Sequence, residues 1–312
     1  VDASATGRFV STPRTTPLMI AAFATLYLVW GSSFVATKVL VTELPPLLSG
    51  GLRFVAGGLL LGLVARMLGA RLPDSLLEWR HAFVMGLLLV VVSNGANVLA
   101  MRHVASNQSA LLNASTALFI PLLGTLGAHG HALSKRTLAG LALGFAGVAL
   151  VLLPRGGFSA ANLGWQLVIL AGCVGWASGT LYHRLMKPTT APLMFTALQM
   201  LLGGIVQAGL GLAQGEGALW HWTPAGHLAW LYLTIFSSCF AYAAFGYLMT
   251  RTTPARLGTY AYVNPVVAAV LGWVLLGETL SAAQILGSAV ILVGVGLVTM
   301  PQRPGPPEEP TG

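Results

Sequence analysis

Ten apolar runs, each about long enough to cross a bilayer, constrain this chain more than any other feature. They lie at roughly 17–39, 46–68, 81–101, 105–127, 135–153, 163–185, 192–213, 227–250, 255–276 and 281–300. A helix crosses the hydrocarbon core with about 20 apolar residues, and lipid offers no partner to an unpaired backbone amide. Such runs must therefore be helical. Strands of a membrane barrel would alternate apolar and polar residues over about 10 positions, and these runs do not. The connections between them, about 4 to 14 residues long, leave no room for a soluble catalytic domain. Only 8% of the residues are charged, against about 25% in a soluble protein. The expected fold is an all-α integral membrane protein with ten transmembrane helices.

Charge then orients the spans. Ten crossings place both termini on one side. If that side is the cytoplasm, inside segments hold Arg8, Arg14, Arg66, Arg71, Arg80, Lys135, Arg136, Arg184, Lys187, Arg251, Arg256 and Arg303. Outside ends hold Lys38, Arg102 and Arg155, and Arg53 lies within a span. Lys and Arg accumulate on cytoplasmic loops, so both termini are expected inside, in a bacterial inner membrane. The net charge of +8 is explained by this bias, with no basic block for nucleic acid. The polar start, followed by a run of about 22 apolar residues, reads as a span rather than a cleaved signal.

Self-comparison shows a duplication. At a shift of 147, Gly130–Pro154 lies over Gly277–Pro301 with 10 of 25 positions identical and no gap. The matches include Gly140/Gly287, Gly147/Gly294 and Pro154/Pro301. At a shift of 146, Trp30 falls on Trp176 and Lys38 on Arg184. The repeated unit has five helices, and an odd number inverts the second copy. Inverted repeats that meet at the bilayer midplane are a common plan for secondary transporters. The expected organisation is a cytoplasmic tail over 1–16, a first repeat over 17–154 and an outer linker over 155–162. A second repeat over 163–301 and a cytoplasmic tail over 302–312 complete it.

Three segments carry a family resemblance: Leu26–Leu40 (LYLVWGSSFVATKVL), Leu52–Leu61 (LRFVAGGLLL) and Tyr262–Val295 with its Pro, GE-x-L-S and Gly-rich last span. The chain resembles the EamA family of the drug/metabolite transporter superfamily over about 17–300. The resemblance implies a ten-helix exporter or permease with a central cavity. Size, aromatics and amides bring it nearest to bacterial exporters of amino acids, including aromatic ones. One departure is visible. The GE pair is Gly277-Glu278 in the second half but Gly130-His131 in the first.

The intramembrane chemistry is sparse. Asp2, Glu43, Asp74, Glu78, Glu216, Glu278, Glu308 and Glu309 all fall in tails, loops or span ends. Ion-coupled carriers usually keep a carboxylate in the membrane, so uniport or exchange is expected. No HExxH, GxSxG or carboxylate pair points to an enzyme. Cys173 and Cys239 read as core residues, and no metal spacing or cofactor motif occurs.

Arg53 is the one charge deep in a span. It either snorkels to cap backbone carbonyls, the reading favoured here, or binds a substrate carboxylate. Lys38 reads mainly as an interfacial anchor, and His103 as a titrating group at the outer mouth. Candidate cavity residues are Trp30, Ser33, Asn94, Asn97, Asn113, Trp176, Gln199, Tyr242, Tyr260 and Asn264. Each amide is equally readable as interhelical glue, and each Trp as core. Pro121 and Pro265 interrupt spans and are candidate hinges. Trp220 and Trp222 read as interfacial anchors.

The expectation is a monomeric carrier moving small metabolites outward, amino acids foremost, by alternating access. Drug or nucleotide-sugar transport, and a scaffold or enzyme without transport, are the alternatives.

Overall fold

The computed structural model describes residues 16–126, 133–152, 160–252, 257 and 259–299. The Gly130-His131 pair and most of the two tails and of the linker 155–162 lie outside these residues. Among the described residues every regular element is helical. The helices are α1 (Pro17–Glu43), α2 (Pro46–Met67), α3 (Leu76–Ala100), α4 (Ser106–Ala114), α5 (Thr116–Leu123) and α6 (Lys135–Leu152). They continue as α7 (Ala160–Met186), α8 (Pro192–Ala213), α9 (Pro224–Met249), α10 (Tyr260–Leu276) and α11 (Ala282–Thr299). Proline opens α1, α2, α8 and α9. It is tolerated there because the first amides of a helix have no intrahelical partner.

Seven of these helices, α1, α2, α3, α6, α7, α8 and α9, are long and apolar enough to cross a membrane, and α10 and α11 are shorter apolar helices. Their outward faces carry large apolar side chains such as Leu18, Leu63, Trp273, Leu275 and Val293. Water would penalise that surface, whereas lipid solvates it.

The run expected over 105–127 is not one continuous helix. It breaks at Ser115, between α4 and α5. The cause is local competition for the Leu112 carbonyl. The Ser115 amide donates to it at 3.1 Å and the Ser115 hydroxyl at 2.6 Å. The Cys173 thiol from α7 approaches the same oxygen at 3.6 Å. A bond from three residues on tightens the turn and ends the α pattern.

Two seams hold the bundle together, α2 against α8 and α6 against α11. Glycines set both. A Cβ at Gly58 would lie 2.7 Å from the Leu201 amide nitrogen and 2.8 Å from the Ala197 carbonyl. A Cβ at Gly204 would lie 2.7 Å from the Val55 amide nitrogen and 2.9 Å from the Gly51 carbonyl. At a shift of 146, Gly58 is equivalent to Gly204, Val55 to Leu201 and Gly51 to Ala197. Equivalent residues therefore exchange partners. The other seam does the same: Gly140 meets the Gly294 carbonyl and Gly287 meets that of Gly147, each at 2.8 Å from the added Cβ. This is the contact pattern of a two-fold axis. The registers descend, 51 with 208 and 58 with 201, so the paired helices run antiparallel. The axis lies across them, and the two-repeat architecture fits it.

Candidate functional site

The cavity starts from three irregular turns. Leu26–Trp30 in α1, Leu87–Asn94 in α3 and Leu233–Ala241 in α9 are π-helical. The wider turn is uncommon and recurs at functional sites. Each stretch delivers a ring or an amide to the bundle centre: Trp30 and Asn94 at the ends of two, Tyr242 directly after the third. The stretches in α3 and α9 are repeat equivalents to within one residue. Nothing in the residue pattern of the runs announces them.

A central cavity of about 120 Å³ is lined by Trp30, Ser33, Arg53, Asn94, Asn97, Asn113, Trp176, Tyr242, Tyr260, Asn264 and Pro265, among others. Both halves contribute. Trp30 is the hub of its rings. It meets Trp176 at 5.7 Å and 87°, Tyr242 at 5.5 Å and 74°, Phe245 at 5.3 Å and 41°, and Tyr260 at 5.4 Å and 85°. Near-perpendicular pairs set a ring edge against a ring face, a favourable arrangement.

A second cavity of about 270 Å³ lies on the other side of this cluster, lined by His183, Arg184, Lys187, Gln199, Tyr242 and Phe245 among others. Tyr242 faces both cavities. The packed rings of Trp30, Tyr242 and Phe245 thus form the wall between them.

The polar groups divide into paired and unpaired ones. Asn113 Nδ2 donates to Asn97 Oδ1 at 2.7 Å, and Ser109 Oγ donates to the same oxygen at 3.1 Å. Asn97 Nδ2 donates to the Ser93 carbonyl at 3.0 Å. These amides join α3 to α4. Asn94 Nδ2 donates to the Leu89 carbonyl at 2.9 Å, which leaves its Oδ1 to accept from Arg53 Nη2 at 3.0 Å. Arg53 is 4% exposed, and its Nε and Nη1 have no hydrogen-bond partner among the described residues. Asn264 Oδ1, in the same cavity, also has none, nor does Gln199 Oε1. Arg53 therefore bonds a side-chain amide, and no backbone carbonyl among the described residues. Ser33 Oγ donates to the Trp30 carbonyl at 2.7 Å.

Of the remaining candidates, all but Pro265 stand apart from the central cavity. Gln199 lines the second cavity only. Lys38 Nζ donates to the carbonyls of Met101 at 2.6 Å, Val104 at 3.2 Å and Arg102 at 3.4 Å, closing the end of α3. His103 stacks on Trp165 at 4.5 Å and 11°. Pro121 sits in α5, away from both cavities, whereas Pro265 lines the central one. Trp222 is exposed and packs on His227 at 3.9 Å.

Three carboxylates have a role that inspection of the sequence missed. Helices α2, α4 and α8 lack a side-chain cap of their own, being preceded by Pro45, Ala105 and Ala191. The first amides of α2 and α4 take a carboxylate from elsewhere, and a third carboxylate binds the turn ahead of α8. Glu216 accepts from Leu48 N at 2.7 Å and Leu47 N at 3.3 Å. Glu278 accepts from Ser106 N at 2.7 Å and Ser106 Oγ at 2.8 Å. Glu78 accepts from Thr189 N and Thr190 N, each at 3.2 Å, just ahead of α8. Orphan amides and the positive end of the helix dipole both favour an anion there. The missing local caps were the available signal. No group of three or more His, Cys, Asp or Glu suited to a metal occurs among the described residues.

A family model described as the EamA-like transporter family matches residues 17–153 and again 163–300. The chain belongs to that family. Among its relatives is the "Uncharacterized inner membrane transporter YedA" of Escherichia coli K12, 37% identical and aligned over 91% of each chain. An "Uncharacterized transporter" of Archaeoglobus fulgidus is 28% identical over 88% of this chain and 95% of that one. A solved structure described as "Crystal structure of protein" superposes with a TM-score of 0.65 at 23% identity, covering 90% of this chain and 96% of that one. That similarity speaks for the fold alone. As an EamA-family member the chain is a multi-pass membrane protein of a transporter family, and its two matched segments fit the seams described above.

Proposed function

We propose that this EamA-family protein carries small amino-acid-like metabolites, aromatic ones included, outward across the inner membrane by alternating access. The observation that carries the reading is the pair of cavities divided by a wall of rings drawn from both halves. Rocking one half on the other along the glycine seams would part the rings and join the central cavity to either face in turn. On this reading there are ten spans, α4 and α5 together making the fourth, and the Lys and Arg bias favours both termini and the Arg184 end facing the cytoplasm. The repeats then run over 17–154 and 163–301, and a monomer suffices because one chain supplies both halves. The protein binds substrate and bilayer and needs no cofactor.

Cavity size and charge favour this substrate class. The central space of about 120 Å³ is smaller than the cavity of about 150 Å³ that accommodates benzene, which favours a small solute over a drug or a nucleotide sugar. A nucleotide sugar brings a diphosphate, and among the described residues Arg53 is the only charged one lining that space. Glu216 and Glu278 are committed to helix ends and Glu78 to the turn ahead of α8. That supports uniport or exchange over proton or sodium coupling. The test is counterflow in proteoliposomes preloaded with phenylalanine, tryptophan or leucine. Labelled amino acid should accumulate transiently without any ion gradient. Failure of every amino acid to exchange, or uptake that requires a proton or sodium gradient, would overturn the respective part of the proposal.

A further inference from the structure

We infer that Arg53 holds the carboxylate of the transported solute, with Asn264 receiving its ammonium group from across the cavity. The inference rests on the carrier reading above and adds the polarity of the bound molecule. A guanidinium stays charged, and a buried charge is costly unless paired. Arg53 is buried in α2 with its guanidinium 4.3 Å from the Phe54 ring, and its one side-chain hydrogen bond among the described residues goes to a neutral amide, Asn94. Asn94 itself is fixed by the Leu89 carbonyl at 2.9 Å and Tyr242 Oη at 3.4 Å. The guanidinium is thus aimed by a chain of partners while Nε and Nη1 remain unmet. A structural arginine would spend those donors on carbonyls, as Lys38 does with three of them at the end of α3.

Unmet donors on a buried cation call for an anionic acceptor. Among the fully buried side-chain atoms of the described residues, Asn264 Oδ1 is the unmet acceptor at the same cavity, and it calls for a donor. Trp30, Trp176 and Tyr260 supply the apolar surface for the rest of the molecule. A zwitterion with an apolar side chain satisfies all three demands. Hydrogen bonds to charged groups contribute enough that losing the carboxylate should weaken binding about tenfold or more.

The test uses four probes that share one ring: L-phenylalanine, L-phenylalaninamide, 3-phenylpropionate and phenethylamine. Calorimetric titration of the full chain in lipid nanodiscs gives each affinity. Phenylalanine and 3-phenylpropionate should bind about tenfold or more tighter than the two probes without a carboxylate. Arg53→Gln should abolish that preference by weakening the carboxylates alone, and Arg53→Lys should keep part of it. Equal affinity for all four probes, no binding of either carboxylate, or an Arg53→Gln that weakens all four alike would overturn the inference. If Arg53→Gln does not fold, the four wild-type affinities decide by the same ratio. Counterflow of phenylalanine separates the two ideas. Carboxylate preference without counterflow removes the carrier and leaves the site. Counterflow without carboxylate preference does the reverse.

Discussion

Lys38 and Arg184 occupy equivalent places in the two halves, yet they do different work. Lys38 locks three carbonyls at the end of α3, beside the α4 terminus that Glu278 caps. Arg184 lines the second cavity and makes no hydrogen bond among the described residues. Arg53 and Gln199 form a second such pair, one facing the central cavity and the other facing the second. The seams, by contrast, treat the halves alike. The backbone plan is thus two-fold while the polar groups are not. The asymmetry is chemical: the Lys38 ammonium is held by three carbonyls of its own half, and the Arg184 guanidinium lines a cavity.

Substitutions at equivalent positions test this division. The largest effect is expected at the rings. Trp30 touches four rings and is 8% exposed, while Trp176 touches three and is only half-buried. Trp30→Ala should cost about 3–5 kcal/mol of stability, and Trp176→Ala less. Both should reduce counterflow. Thermal unfolding in one detergent ranks them, and a larger loss at Trp176 would make the second half the keystone instead.

Next come the seams. Gly58→Ala and Gly204→Ala each force a methyl against backbone 2.7 Å away, at about 1–3 kcal/mol. Their costs should agree within about 0.5 kcal/mol, the usual error of such comparisons. A wider gap, measured the same way, would mean that the two-fold pattern does not extend to energetics.

The smallest effect concerns the ends. Lys38→Met should loosen the end of α3 from α1 by about 1 kcal/mol, about fivefold in local opening there. The check is alkylation of a cysteine placed at Ser33, in a chain lacking Cys173 and Cys239, by an impermeant maleimide. Arg184→Met should leave that rate unchanged, because Arg184 holds nothing closed. An equal rise in both variants would erase the distinction between the ends.

Apolar length suffices to read the helices, because lipid imposes one backbone solution on any long apolar run. The repeat is readable too, since Gly140, Gly147, Gly287 and Gly294 sit where only glycine permits the approach. The break at Ser115 was not. It depends on a hydroxyl, an amide and a thiol from another helix converging on one carbonyl. The π-helical turns ahead of Asn94 and Tyr242 are equally silent, for a turn's hydrogen-bond spacing has no composition of its own. Of the site, most of the candidate residues do line the central cavity. Which amides pair with each other, as Asn97 and Asn113 do, and which partners stay unmet, as at Arg53, are matters of geometry. So is the placement of Gln199 on the far side of the ring wall.

The exchange of partners along the glycine seams carries a consequence for how such a molecule can arise and vary. A seam that swaps equivalent residues needs no difference between its sides. Two separate copies of one half, inserted in opposite senses, would satisfy Gly58 against Leu201 and Gly204 against Val55 equally well. Joining them in a single polypeptide fixes the stoichiometry at one of each. Only then can one copy keep an arginine where the other keeps a glutamine. Covalent linkage is what allows a symmetric scaffold to hold a single charged position.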